Sequence, residues 1–485
     1  MRSVASSTAC AILMGLASAA GGGAQPRAPA VERGAWSYTI TLDEPLSTMQ
    51  VRLCFEGAPP AAIAPIHNNG WRYVRNVEER ARTAEGLRPR DVARDGCVGY
   101  EVDLARAAAD SGGMNGALRV GGDVLASTAV WLWAPSPRPA RCVARARFEL
   151  PEGVRVSSLW PRDAAGTYAL DERAFAFVAY AGLGRFRSVD VGAPGACLHV
   201  EMLGAGLSIG AGATARAIAT SAHASSTLFG HFPVPEASIL VVPIPGRDIP
   251  FGIVGRGTTP TVALIVGSES SEDELARAWV PVHELSHLAT PYIARQDAWL
   301  SEGLATYYQE ILRARAGTQS AERAWANLDE GFRRGSSDGT GRTLAEESAD
   351  MMGTAAFARV YWAGTAILFA ADVELRRRTG GASSLDRALA RLAGERRTQP
   401  MSASELVAAI DEQGVIAALV ARWLGATEFP DLRETYDALG LARRGGELAL
   451  EGGAEAAALR ASIVRVPDRM APLGCGTHGG AHESL

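Results

Sequence analysis

The 485-residue chain contains no lysine, so all 48 of its basic side chains are arginine. Chemistry that needs a side-chain amine is thereby excluded: Schiff-base catalysis, a phosphate-binding loop ending in Gly-Lys-Ser/Thr, and a Ser-x-x-Lys nucleophile pair. A surplus of positive charge is absent too, with a net charge of -5 at pH 7. Nucleic acid would demand the opposite balance. No run approaches the ~18 uninterrupted apolar residues of a membrane span. No C-x-x-C pair marks a thiolate metal site. Hydrophobic residues at 47% and charged residues at 21% are ordinary for a globular protein.

The amino end carries Arg2, an apolar run from Val4 to Ala20 and Ala17-Ser18-Ala19. This is the pattern of a signal segment over residues 1–24, and it implies a secreted or periplasmic protein. Of the 6 cysteines, Cys10 would leave with that leader. Cys54, Cys97, Cys142, Cys197 and Cys475 then point to disulfides in an oxidising compartment, with one cysteine left over and the pairing open.

The length suits about three domains, and the patterning predicts an α+β multidomain fold. Residues 31–203 read as an N-terminal antiparallel, sandwich-like β domain, from short alternating runs such as Trp36–Leu42, Met49–Leu53 and Ala144–Leu150 separated by turn clusters. Residues 204–380 mix strands (Ile239–Pro243, Thr261–Val266) with helices. Ser271-Glu272-Asp273-Glu274 is a capping box that opens a helix in which Pro281 either makes a kink or restarts the helix. Trp299–Ala316 and Phe357–Arg378 are helical, with Gly317 and Gly380-Gly381 as stops. Residues 381–442 read as a helical domain, and 443–485 as a Gly/Ala-rich tail with one strand-like run at Ile463–Val466.

The chemistry concentrates at His283-Glu284-Leu285-Ser286-His287. On a helix the i, i+4 spacing puts both imidazoles on one face with Glu284 beside them, so two nitrogens can meet one zinc ion. A catalytic zinc wants a third protein ligand. A metzincin arrangement is excluded, because Thr290 and Ile293 stand where a glycine and a histidine are required. Glu302, at the start of the helix that follows, can supply a carboxylate, and Gly303 would let helices approach closely. Glu302 also fits a plain acid at a helix start. These residues predict one zinc per chain on His283, His287 and Glu302, with Glu284 as the base for a water.

This constellation resembles the glycyl aminopeptidase-like family of gluzincin zinc metallopeptidases, relatives of the alanyl aminopeptidases and of leukotriene hydrolase. Leu228–Pro233, Trp299–Tyr308, Arg313–Gly317 and Arg378–Asp386 share in the likeness, which spans Trp36 to Leu441. The resemblance implies a thermolysin-like catalytic domain and a peptide or protein substrate. It also implies that Tyr361, in Val360-Tyr361-Trp362-Ala363-Gly364, donates to the developing oxyanion, although Tyr361 fits a core aromatic as well.

Three departures from the family stand out. Ala363 replaces its lysine. A peptide-binding PDZ module after the helical domain is missing. The strand whose acid grips a substrate amine corresponds to Phe251–Gly257, and no carboxylate occurs from Ile249 to Ser268. Arg256 would there favour a substrate carboxylate or carbonyl, so the expectation is an endopeptidase or an atypical aminopeptidase. A catalytically inactive binding protein on a peptidase fold and a zinc hydrolase of a non-peptide substrate are the rival readings. Gly206-Leu207-Ser208-Ile209-Gly210 imitates a nucleophile elbow, but His223 and His231 follow too closely to complete a triad.

Overall fold

The computed structural model describes residues 33–475 apart from 78–81, 84–85, 90–95, 111–114, 140 and 396. The leader with Cys10 and the tail histidines His478 and His482 lie outside the described residues.

Alternation along Arg33–Leu42 buries Trp36, Tyr38, Ile40 and Leu42 on one face. This strand pairs antiparallel with Thr48–Phe55 and parallel with Arg141–Glu149. The six-stranded sheet they centre is therefore mixed, where the sequence had suggested an antiparallel one. The stretch 43–140 intervenes between the parallel partners, long enough for the crossover a parallel pair requires. Two four-stranded sheets complete this first body. Its core is aromatic, with Tyr100 stacked on Trp133 at 5.0 Å and Trp131 edge-on to Trp160 at 5.8 Å. Cys54 and Cys97 sit opposite each other on neighbouring strands and form a disulfide, while Cys142 stays free.

The second body is a five-stranded sheet in the order Arg187–Ala193, Ala196–Met202, Glu236–Ile244, Thr261–Gly267, Phe251–Gly255. Its three inner strands run parallel and both edges antiparallel. Arg187–Met202 thus belongs here and not to the 31–203 segment. Alternation says that a hairpin forms but not which sheet it joins; Leu198 and Val200 bury against the helix Gly210–Ser226. Among the described residues, no helix is long and apolar enough to cross a membrane.

Helices form the third body, around Ala298–Arg315 and Phe357–Thr379. One apolar core runs through it from Ala298 to Ile463, across the boundaries expected at 380 and 442. Residues 441–463 are ordered, as the hairpin Leu441–Arg444 with Glu447–Leu450 and the helix Ala454–Ile463. Ile463 closes that helix and starts no strand, because the Ala-rich run before it has high helix propensity. The chain then returns to the sheet as a strap. Gly195 N–H donates to Pro472 O at 2.7 Å and Gly474 N–H to Ala193 O at 2.9 Å. A Cys197–Cys475 disulfide fastens it.

His199 stands between two carboxylates, 2.8 Å from Asp190 and 2.8 Å from Glu236. Burial works to lower its pKa, but the two acids prevail and raise it to about 10. A folded-state pKa raised above the ordinary histidine value of 6.5 means stability fully present below pH 6.5 and lost as pH climbs through about 10. Across that window the wild type should lose melting temperature more steeply than His199→Gln, and parallel curves would refute the clamp.

Candidate metal centre

The capping box forms as expected, with Ser271 and Glu274 bonded reciprocally at the start of Glu272–Arg277. Ala278 is not helical, and a new helix, Trp279–Ser286, begins after it. Pro281 lies in the first turn of the new helix, where its missing N–H is not needed. It restarts the helix and does not kink it. His283 and His287 fall one turn apart, their rings edge to face with centroids 5.0 Å apart.

Glu302 is the fifth residue of Ala298–Arg315. Its Oε2 lies 3.2 Å from His283 Nε2 and 3.6 Å from His287 Nε2. Ligand atoms of all three residues lie within 4.8 Å of one another. Gln309, two turns after Glu302 on the same helix, accepts from His283 Nδ1 at 2.8 Å. The Gln309 amide nitrogen donates to Glu310 at 3.0 Å, and Glu310 is bonded in turn to Arg313, Gln319 and Asn327. That relay aims the Gln309 oxygen at the ring and keeps a hydrogen on Nδ1, so that Nε2, on the Glu302 side, is the atom that would bind a metal. Burial acts to raise the Glu302 carboxyl, but the charge of His287 and the bond to His283 hold it far below the usual carboxylate range.

Glu284 is buried beside this group but points to the sheet. A Cβ on Gly252 would fall 2.5 Å from Glu284 Cγ, and the Gly252 N–H faces the carboxylate closely enough to favour its charged form. Only glycine admits this approach. Burial raises the Glu284 pKa, against the opposing charges of His283 and His287. Tyr361 lies over His283 at 6.1 Å, nearly coplanar. Burial, then the neighbouring Glu302, raises its pKa, so the phenol keeps its proton. Gly303 does permit close helix packing, but against Phe357–Thr379 and not against the motif helix. A Cβ on Gly303 would be 2.6 Å from Gly364 C, and one on Gly364 only 1.8 Å from Trp299 O.

Arg256 departs from expectation. Its guanidinium donates to His287 O at 2.6 Å and Thr290 O at 2.7 Å, so the fork reads the main chain at the end of the motif helix. Burial lowers its pKa to about 10. Gln309 was not anticipated, although its i+7 relation to Glu302 could have marked it. A second group, Asp190, Cys197 and His199, is spaced for a metal, but its sulfur is in a disulfide and both imidazole nitrogens are taken by carboxylates.

By sequence alone the chain matches no family model and no curated protein. Its fold is a different matter. An aminopeptidase N family protein from Idiomarina loihiensis superposes with a TM-score of 0.64 at 14% identity, over 87% of this chain and 82% of that one. A substituted form of an M1 zinc metallopeptidase from Deinococcus radiodurans gives 0.51 at 18%, over 83% and 95%. The same enzyme bound to a Tyr-Ser-Ala substrate gives 0.50 at 16% identity, over 83% and 95%. The chain therefore has the multidomain α+β fold of the M1 zinc metallopeptidases.

Proposed function

We propose that the protein is a zinc-dependent peptidase, with one zinc per chain held by His283, His287 and Glu302. The observation that carries this is the convergence of two imidazole nitrogens and one carboxylate within 4.8 Å, with a second, buried acid, Glu284, beside them against Gly252. Two nitrogens, one oxygen and an outer support for His283 suit a catalytic zinc. A zinc there would supply Lewis acidity to a water and to the scissile carbonyl. Glu284 takes the proton from that water and later returns it to the leaving amine. The water oxygen bonds to the carbonyl carbon, the C–N bond breaks, and no further reactant is consumed. The protonated Tyr361 phenol donates to the carbonyl oxygen as charge grows there. The free edge of Phe251–Gly255 can hold the peptide by main-chain pairing. A peptide substrate in a neighbour of the same fold supports the choice of substrate.

A peptide-library digest with cut sites mapped by mass spectrometry tests the reading on wild type, Glu284→Gln and chelator-treated protein. Cleavage by the wild type and loss of it in both controls is the expected result. Zinc-loaded protein that cleaves nothing would shift the weight to a binding role or a non-peptide substrate.

A further inference from the structure

The edge strand beside Glu284 is short, and its far end is already occupied. In an antiparallel pair, main-chain N–H and C=O groups point away from the partner strand at every second residue. Gly252 is one of these outward residues, since it shares its parity with Arg256, whose N–H leaves the strand for Val178 O. Val254 is the next and Arg256 the third. At Arg256 the outward pair is consumed: its N–H donates to Val178 O at 2.9 Å, and its C=O accepts from Arg173 at 3.3 Å. Val178 and Ala179 belong to the first body and are pinned there, with Ala179 bonded both ways to Thr128. The packing allows no gap. A Cβ on Gly255 would meet Ala179 Cα at 2.7 Å, and one on Gly257 would meet Ala179 Cβ at 2.9 Å. The segment Val178–Tyr180 thus seals the groove about four residues, or ~13 Å, from Gly252, and only Val254 remains between for a substrate backbone to pair with.

What surrounds the seal decides which chain end fits it. Arg173 and Arg256 lie at the closed end. No carboxylate occurs on the strand or the turn after it, from Ile249 to Ser268. A substrate ammonium would lose its water there beside two guanidiniums, with the nearby Asp171 already bonded to Thr258 and the Arg173 N–H, which disfavours binding.

We infer that the groove is blind on this side and accepts a chain end without positive charge, so that the enzyme releases one or two residues from such an end. Two sources share this chemistry, an acylated amino terminus and a carboxyl terminus. The inference rests on the peptidase reading and narrows it.

Peptides of one sequence separate the possibilities: acetylated or free at the amino end, amidated or free at the carboxyl end, each incubated with the zinc-loaded full chain. Release of an acetylated residue or dipeptide, or of one or two carboxyl-terminal residues, should exceed trimming from a free amine by at least about tenfold. Equal or faster trimming from the free amine overturns the inference. So do internal cuts more than three bonds from either end, which would place the substrate in the cavity beyond the seal, lined by Phe177, Arg256, Thr258 and Tyr292. Cleavage of none of the peptides overturns the peptidase reading itself. Affinity of zinc-loaded Glu284→Gln for the same peptides gives a readout independent of turnover, and the uncharged end should again bind more tightly. Val254→Glu puts an anion at the one open residue and should shift preference toward the free amine, whereas Val254→Gln should not. Melting curves of both variants show whether they are folded, and a folded Val254→Glu with unchanged preference counts against the inference.

Discussion

Glu284→Gln should lower kcat by roughly 10²–10⁴-fold and leave zinc content and thermal stability near those of the wild type. The amide keeps the shape and can still accept from the Gly252 N–H, but it cannot take a proton from water. The proposed metal set does not include this side chain, which lies against Gly252 of the sheet. Glu302→Gln is the informative contrast. It weakens a ligand set in which one carboxylate serves both imidazoles, so zinc affinity should fall before any question of turnover arises. Kinetics beside elemental analysis of dialysed protein check both. A Glu284→Gln variant that lost its zinc would mean that Glu284 is a ligand, and one that kept full activity would remove it from the mechanism.

Gly364→Ala should destabilise the protein by about 3 kcal/mol or more, at the upper end of what overpacking costs. Helix propensity argues the other way, favouring alanine over glycine by about 1 kcal/mol in a helix interior. Packing wins, because the added methyl would sit 1.8 Å from Trp299 O and 3.2 Å from Gly303 Cα. Both obstacles are backbone, so no side chain can rotate away and the two helices must separate. Glu302 and Tyr361 lie on those helices within one turn of the contact. The variant should therefore lose zinc affinity along with urea resistance. Gly303→Ala should behave alike, and the double substitution should cost less than the two single costs added. A more stable Gly364→Ala would mean that propensity decides at this crossing.

The motif was legible because its spacing is local. Helical periodicity sets the His283–His287 geometry, and Glu302 follows early in a helix only a short connection away, which packs beside the motif helix. The supports were less legible for a physical reason: they depend on pairings between distant segments. Nothing near Arg256 in sequence says that its fork will close on His287 O and Thr290 O, or that Val178 will take its N–H. The same holds for the strands from Arg187 to Met202, whose alternation gives a hairpin without naming its sheet. Glycines were read half correctly: Gly303 does mark a close approach, but the partner, Gly364, lies 61 residues on. The tail was misjudged because its composition is Gly/Ala-rich, and composition does not reveal that Pro472 and Gly474 find hydrogen-bonding partners on the sheet.

The strap has a consequence for how the protein is made. The edge of the five-stranded sheet receives its last bonds from residues 472–474, and Cys197 waits for Cys475 across a separation of 278 residues. The metal-binding helices are synthesised long before that. During translation the sheet that carries Gly252 must remain open at its Ala193–Cys197 turn until residues 472–475 have been made. Closing the sheet is therefore an oxidative step, and a nascent chain halted before residue 475 would hold His283, His287 and Glu302 and still lack a closed sheet.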